Sequence, residues 1–177
     1  MILCDLPAGT TLFRALTPQW ASSPTSGAGA AAKGGRFNRD GIEALYLSLD
    51  EMTALREYQQ TSPFLPPCTM CSYAVALQGL VDLRQLHHGA PWDDLWHDWR
   101  EDWRHLKLDQ HIEPPTWVLG DMVRAHGYTG ILFPSQVCNT GFNVAVYLDR
   151  LTNGNSITVN DPDGRLPRDQ SSWVGRP

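Results

Sequence analysis

The chain has 177 residues, a length typical of one domain with a single hydrophobic core. Apolar residues make up 42% of the sequence and charged residues 19%, which are the proportions of a folded globular protein and exclude a disordered one. A net charge of −5 argues against direct nucleic-acid binding, and no apolar run is long enough to cross a membrane. The first residues lack the basic region and cleavage site of a secretion signal, so we expect a cytoplasmic protein.

The first part of the chain predicts two short strands separated by a long loop. Thr11–Leu16 and Ala44–Ser48 each carry aliphatic and aromatic residues in a pattern typical of strands. Residues 17–35 are rich in Ser, Thr, Pro, Gly and Ala, and a loop of this length in a small domain is often functional. The loop ends at Gly34-Gly35-Arg36-Phe37-Asn38, where two glycines allow the backbone to turn or to approach a ligand closely.

A helix and a third strand are expected next. Ser48 and Glu51 have the spacing of a capping box, which predicts a helix from about Leu49 to about Gln60. Several prolines end this region, and Cys71–Leu77 then predicts a strand that Gly79 terminates.

Two of the four cysteines form a CxxC pair, a spacing found in zinc sites and in redox pairs. No second CxxC follows Cys68 and Cys71, and no histidine pair at ligand spacing lies close behind them. A redox pair normally opens a helix, whereas this one leads into a predicted strand. We therefore interpret these cysteines, with Cys4 and Cys138, as structural thiols rather than as metal ligands or redox groups.

The segment 87–117 is unusual because it contains five of the seven tryptophans. Four of them recur at spacings of four, three and four residues, which places them on one face of a predicted helix: Trp92, Trp96, Trp99 and Trp103. Such an aromatic stripe usually packs on the core. It is also compatible with a surface that binds a partner protein, because aromatic residues are enriched at interfaces.

The last third of the chain predicts one helix and up to three strands. Pro114-Pro115 opens a helix over Thr116–Ala125, which Gly127 ends. Two strands with buried character and one edge strand are expected after it, at Gly130–Phe133, Phe142–Leu148 and Ser156–Val159. The tail from Asp149 is polar. The order of elements predicts an α+β fold, a strand-rich core with helices inserted between strands.

Four polar or aromatic residues stand where packing alone does not require them. Arg36 follows two glycines and can offer its guanidinium to a phosphate or carboxylate, although a surface arginine in a turn has the same pattern. Tyr46 can stack on a flat ligand from an otherwise apolar strand. Glu57 lies in a helix beside apolar residues, and it is either a functional carboxylate or a solvated one. Ser135 ends a strand, where it can bind a ligand or simply form a turn.

These segments together resemble the RES domain, a family named for its Arg, Glu and Ser. The resemblance covers most of residues 11–148 in the family's order. It runs through Leu12-Phe13-Arg14, GGRFN, ALYLS with the helix to Glu57, GILFPS and GFNVAVYL. It implies a single NAD-binding domain over residues 1–177, with a core at 11–148 and a polar tail at 149–177. It also implies a split β-core similar to the diphtheria-toxin type of ADP-ribosyltransferase.

The resemblance further implies an enzyme that consumes NAD as its substrate and needs no metal. Members are toxins that break the nicotinamide–ribose bond and pass ADP-ribose to a protein, to phosphate or to water, and an Xre-like antitoxin occludes their cleft. Carried over by position, the catalytic residues are Arg36, Tyr46, Glu57 and Ser135. Arg14 and Asn143 match positions that line the same cleft, so the NAD-binding residues are expected to be these two together with Arg36, Tyr46 and Ser135.

Some segments depart from the family's pattern. Phe37 stands where many relatives have Trp, and the glycine-rich stretch after the serine reads Gln136-Val-Cys-Asn-Thr-Gly141. The Trp-rich segment 87–117 and the tail beyond Arg150 have no clear counterpart. The alternative interpretation is therefore a non-catalytic module that binds a partner through a Trp-rich docking helix, and a metal or redox enzyme ranks below it.

Overall fold

Six strands and three α-helices build the protein in the computed structural model, which describes residues 1–86, 92–152 and 154–174. The strands are β1 (Leu3–Leu16), β2 (Ala44–Ser48), β3 (Thr69–Asp82), β4 (Gly130–Pro134), β5 (Phe142–Tyr147) and β6 (Ser156–Val159). The helices are α1 (Ala28–Lys33), α2 (Glu51–Gln59) and α3 (Pro115–Ala125). Short 3₁₀ turns lie at Pro18–Trp20, Leu83–Gln85, Asp94–Arg100, Leu148–Arg150 and Ser171–Trp173, and a π turn at His105–Asp109.

All six strands belong to one sheet that closes on itself. The strand order is β1-β2-β5-β4-β3-β6, and β1 also pairs with β3, so five strands form a ring with β6 added to the edge of β3. Pairing is antiparallel except between β3 and β4. Strands β1 and β2 pair at a single position, Phe13 with Ser48, whereas β1 and β3 pair along most of their length. The ring is therefore weakest between β1 and β2, and a cavity lined by residues of both strands opens there.

Strands β2, β4 and β5 are buried on both faces, and because side chains alternate along a strand each of them contributes to two apolar clusters. In β5, Val144 and Val146 point into one apolar cluster, and Ala145 and Tyr147 point into the other. The first cluster draws residues from all five strands of the ring and fills its interior. The second lies outside the ring, where α3 and the Trp-rich segment cover the sheet.

The predicted mixed fold, with helices inserted between strands, is confirmed. The strand over Ala44–Ser48, the helix after Pro114 and the three late strands lie where the sequence predicts them, with β5 one residue shorter. The sheet extends beyond residues 11–148, because β1 begins at Leu3 and β6 lies in the predicted tail. No helix in the described ranges is long and apolar enough to cross a membrane.

Three local predictions are wrong. The predicted loop 17–35 contains a 3₁₀ turn and helix α1. Helix α2 begins at Glu51, and its N-cap is Asp50 rather than Ser48, since the Asp50 carboxylate accepts a hydrogen bond from the Thr53 N–H. Gly79 does not end β3, because it takes a φ of +69° within the strand and pairing with β1 resumes beyond it.

The Trp-rich segment does not form the single long helix that its periodicity predicts. It forms the 3₁₀ turn Asp94–Arg100 and the π turn His105–Asp109 instead. Trp96, Trp99 and Trp103 are nevertheless buried, so the prediction that the stripe packs on the core is confirmed for these three. The first part of the predicted segment, residues 87–91, lies outside the described residues.

Candidate functional site

A cavity of about 1150 Å³ opens beside β2, between α2, the Gly34–Arg36 loop and the Trp-rich segment. Its walls include five of the six residues that the sequence predicts for the site: Arg14, Arg36, Tyr46, Glu57 and Asn143. The sixth, Ser135, is joined to it because its hydroxyl donates a hydrogen bond to the Glu57 carboxylate, with 2.8 Å between the oxygens. The fold therefore brings together residues that are up to 129 positions apart in the chain.

The Glu57 carboxylate is fixed by two donors from the β4–β5 region. Its Oε1 atom accepts hydrogen bonds from the Ser135 hydroxyl at 2.8 Å and from the Asn143 side-chain amide at 2.5 Å. The amide orientation of Asn143 is itself fixed, because its Oδ1 accepts a 2.7 Å hydrogen bond from the buried Ser48 hydroxyl. Among the residues that the structure describes, Glu57 Oε2 accepts one hydrogen bond, from the Gln60 side-chain amide at 3.3 Å. One carboxylate oxygen is thus used for positioning, and the other is left for a ligand.

Close packing holds helix α2 against the loop that precedes β5. Thr53 is fully buried on α2, and its hydroxyl donates to the Asp50 carboxylate at 2.7 Å. A Cβ atom on Gly141 would lie 2.1 Å from the Thr53 hydroxyl oxygen, so only glycine allows this approach. This contact sets the distance between Glu57 on α2 and its two donors, Ser135 and Asn143.

Tyr46 presents its ring to the cavity, while its hydroxyl is fully engaged. The phenol oxygen accepts a hydrogen bond from the Phe37 N–H at 2.9 Å and donates to Asn38 Oδ1 at 2.8 Å. Burial is the main cause that raises the pKa of Tyr46 above its ordinary value. Gly35 makes room for this arrangement, because a Cβ there would lie 2.6 Å from the Tyr46 hydroxyl.

Asn38 is a site-forming residue for which sequence reasoning assigned no role. It is 2% exposed, and its amide donates to the carbonyls of Ala30, Arg39 and Ile42 while its oxygen accepts from Tyr46. These four bonds satisfy most of its hydrogen-bonding capacity and hold the GGRFN loop against β2. The only signal in the sequence was its place at the end of that motif.

Arg36 connects three segments of the cavity wall through hydrogen bonds. Its Nη1 atom donates to the carbonyls of Trp99 and Glu101, both at 3.0 Å, and its Nη2 donates to Gln136 Oε1 at 2.6 Å. The Gln136 amide in turn donates to the Arg100 carbonyl at 2.8 Å. Burial lowers the pKa of Arg36. Within the described residues this guanidinium has no carboxylate at ion-pair distance, although the charges of Glu57 and Asp102 act on it from farther away.

Arg14 lines the cavity from β1. Its Nη1 atom donates to the carbonyls of Pro24 and Ser26, at 3.2 and 3.1 Å, and so holds the loop after β1 in place. Burial lowers the pKa of Arg14, and the neighbouring Tyr73 opposes that effect.

The cavity is basic although the protein as a whole is acidic. Five basic side chains line it and only two carboxylates do, in a chain whose net charge is −5. Three of the basic residues were not predicted from the sequence: Lys33, Arg104 and Lys107. The helical spacing of the tryptophans gives no indication that the Trp-rich segment turns Arg104 and Lys107 toward the cavity.

The cysteines and other potential metal ligands do not form a second site. All four cysteines are free thiols, and burial raises the pKa of Cys4 to about 11 and also raises that of Cys71. The Cys4 and Cys71 thiols therefore stay protonated at neutral pH, in agreement with a structural function. Across the described parts of the chain, no three His, Cys, Asp or Glu side chains are grouped closely enough to hold a metal ion.

Comparison with known proteins identifies similarities in sequence and in fold. The sequence model of the RES domain matches residues 11–169, a range that includes the Trp-rich segment and much of the polar tail. A chain in the crystal structure of the M. tuberculosis MbcT–MbcA toxin–antitoxin complex superposes with a TM-score of 0.56 at 18% identity. The superposition covers 89% of this chain and 84% of that one. No curated protein matches the chain in sequence.

Proposed function

The chain belongs to the RES-domain family, and from this premise we propose that it is the toxin of a bacterial toxin–antitoxin pair and that it cleaves the nicotinamide–ribose bond of NAD. The observation that carries the proposal is the Glu57 carboxylate, which Ser135 and Asn143 hold at the wall of a basic cavity. The chemistry needs such an arrangement, because the ribose becomes a cation while the substrate carries a negatively charged pyrophosphate.

In the proposed reaction the bond between the nicotinamide nitrogen and the ribose C1′ breaks, and its electron pair leaves on the nitrogen. An oxygen of the acceptor forms the new bond to C1′ and releases its proton. The free oxygen of Glu57 binds the ribose hydroxyls and stabilises the positive charge that develops at C1′. Because Oε1 is already fixed, little reorganisation is needed when this charge appears.

The remaining residues bind and orient the substrate. The ring of Tyr46 stacks on the nicotinamide, and this contact uses its face because its hydroxyl is occupied by Phe37 and Asn38. Arg36 and Arg14 supply positive charge to the pyrophosphate. A cavity of about 1150 Å³ exceeds the range of about 300–1,000 Å³ that is usual for small-molecule sites, which suits a dinucleotide.

The finer family properties are part of the same proposal. We place the sheet and its cleft with the β-core of the diphtheria-toxin type of ADP-ribosyltransferase. We propose that an Xre-like antitoxin occludes the cleft in the cytoplasm; the toxin–antitoxin assembly of the structural neighbour supports an antitoxin partner. The acceptor of ADP-ribose is a protein, phosphate or water. The alternative of a Trp-rich docking module is not favoured, because three of the tryptophans that would dock are buried.

The test is to incubate the chain with NAD, alone, with phosphate and with a cell lysate, and to follow nicotinamide and the adenine-containing product by mass. We expect release of nicotinamide, and the product mass identifies the acceptor. Glu57→Gln keeps the size of the side chain and removes its charge, so turnover falls by ~10²-fold or more. Glu51→Gln, at an exposed position of the same helix, is the matched control and retains turnover. Absence of NAD loss under every condition, with the fold intact by circular dichroism, would contradict the proposal.

A further inference from the structure

Arg104 is a cationic residue in the cavity wall that the proposed mechanism has not used. It lies in the Trp-rich segment, and its guanidinium carbon sits 4.7 Å from the centre of the Trp103 ring. This stacking limits the conformations of a long side chain. Within the described residues its guanidinium forms no ion pair and no hydrogen bond, since only its backbone N–H is bonded, to Asp102. Its donors are therefore free.

Arg36, the expected ligand of the pyrophosphate, has fewer donors available than its sequence position suggests. Three of its five N–H groups are used by the carbonyls of Trp99 and Glu101 and by the side chain of Gln136. Its main structural effect is to fix the segment that carries Arg104. The sequence predicts that Arg36 alone binds the pyrophosphate. In the structure Arg36 holds the cavity wall in place, and Arg104 carries the free guanidinium.

The two guanidinium groups also act on each other. Burial is the main cause that lowers the pKa of Arg36, and the positive charge of Arg104 lowers it further. Tyr46, Glu57 and Asp102 act on the pKa of Arg36 in the opposite direction. The Asp102 carboxylate also accepts hydrogen bonds from the backbone N–H groups of Arg104 and His105. Two cations beside one cavity without an ion-pair partner in the described chain form a site in which an anion relieves the repulsion.

We propose that Arg104 is a substrate-binding residue whose guanidinium binds the pyrophosphate of the dinucleotide, with Arg36 adding its charge from the wall behind. The proposal rests on the function proposed above and adds a residue of the Trp-rich segment to the substrate site. An arginine is suited to this contact because its planar fork donates two parallel hydrogen bonds to phosphate oxygens. It also gives the buried tryptophans a function, which is to support the part of the wall that carries Arg104.

The experiment compares Arg104→Gln with Arg100→Gln. Arg100 is the matched control, because it belongs to the same segment and stacks on Trp99 at 5.2 Å but does not line the cavity. In Arg104→Gln, the affinity for ADP-ribose, measured by calorimetry, falls by about 10-fold or more, because one charge-assisted contact is lost. For the same reason KM for NAD rises by about 10-fold or more. The kcat value stays within about 2-fold, because the contact is equally present before and during bond cleavage. Arg100→Gln retains wild-type values of all three quantities.

Binding of ADP-ribose and the dependence of the rate on inorganic phosphate are measured separately. Together they identify the anion that Arg104 binds and separate this inference from the proposed function. If Arg104→Gln leaves ADP-ribose binding and KM for NAD unchanged while the wild type consumes NAD, the role of Arg104 is wrong and the function stands. If Arg104→Gln changes only the dependence of the rate on inorganic phosphate, the site binds an acceptor and the inference is overturned. If the wild type neither consumes NAD nor binds ADP-ribose, the proposed function fails and the inference fails with it. Loss of ADP-ribose affinity in Arg104→Gln alone, with nicotinamide binding unchanged, supports it.

Discussion

Ser135 connects the β4–β5 turn to the reacting end of the site through a single hydroxyl. This hydroxyl donates to Glu57 and also accepts hydrogen bonds from the N–H groups of Val137 and Cys138, at 3.2 and 3.0 Å. Ser135 is buried and is not among the residues that line the cavity. Its geometry is therefore that of a positioning residue that acts through the Glu57 carboxylate, and its contribution differs from that of a residue that contacts the substrate.

We expect Ser135→Ala to lower kcat for NAD cleavage by about 10-fold or more, because a hydrogen bond to a charged group is lost. KM changes by less than about 2-fold, since no contact to the substrate is removed. Steady-state kinetics of nicotinamide release measure both constants, and Ser156→Ala, at an exposed position on β6, is the control. A raised KM with an unchanged kcat would instead mean that the hydroxyl contacts the substrate directly.

At the scale of elements, the placement of α2 depends on one glycine. Ala at position 141 would bring its Cβ to 2.1 Å from the Thr53 hydroxyl oxygen and 2.8 Å from its methyl carbon. Overpacking of this kind typically destabilises a protein by about 1–3 kcal/mol. The helix is expected to move away from the loop, and Glu57 then loses its alignment with Ser135 and Asn143.

Gly141→Ala is therefore predicted to lower both the thermal midpoint and NAD turnover. Gly29→Ala is the stability control, since a Cβ there meets nothing within 4 Å. Thr53→Ala combined with Gly141→Ala removes the clashing atoms, so we expect the double variant to be more stable than the sum of the two single changes predicts. Strictly additive losses of stability would show that the glycine is not needed for this contact.

The sequence predicts elements well where one periodicity dominates and poorly where tertiary contacts compete with local signals. Strand β2 is predicted to the residue because both of its faces are apolar. The start of α2 is missed because Ser48 has the pattern of a cap, but its hydroxyl donates to Asn143 across the sheet. The Trp-rich segment has helical spacing, yet its carbonyls at Trp99 and Glu101 are bound by Arg36, from 63 and 65 residues away.

The residues of the site were likewise predictable where the local sequence carries a signal and unpredictable where tertiary contacts decide their position. Arg36, Tyr46 and Glu57 stand out as polar or aromatic residues beside glycine or apolar neighbours, but it is the resemblance to the RES domain that assigns them to one site. Arg104 could not, since charged residues in an amphipathic pattern are usually solvated. Its position depends on the departure of the segment from a helix.

For the molecule as a whole, the uneven distribution of charge is the feature that matters for binding. Positive charge is concentrated at the cavity while the net charge is negative, so an anion is attracted to the site rather than to the surface in general. Arg14, Arg36 and Lys107 are partly buried, so salt screens their attraction less than it screens that of exposed charges, whereas Lys33 and Arg104 are exposed. The affinity for an anionic substrate therefore depends on the charges at the cavity and not on the net charge of the protein.

The two apolar clusters share a sensitivity to alkaline pH. Tyr73 lies in the cluster inside the ring and Tyr147 in the cluster outside it, and both are fully buried. Burial raises the pKa of each phenol above its ordinary value. The stability that each neutral phenol contributes is fully present below the pKa of the unfolded state, about 10, and is lost as the pH rises toward the folded pKa. The free energy of unfolding is thus expected to fall above about pH 10, by up to about 1.4 kcal/mol per pH unit for each tyrosine.

Tyr147→Phe tests this linkage, because it removes one of the ionising groups and keeps the ring. The Phe37 carbonyl loses the 2.7 Å hydrogen bond that the Tyr147 hydroxyl donates, so the variant is less stable at neutral pH. Above about pH 10, however, its stability falls less steeply with pH than that of the wild type, by the equivalent of one proton. Urea unfolding from about pH 8 to about pH 11 measures the slopes, since the unfolding midpoint and m-value give the free energy at each pH. Equal slopes in the two proteins would mean that the Tyr147 phenol ionises as readily in the folded chain as in the unfolded one, and that its burial in the outer cluster does not exclude the charged form.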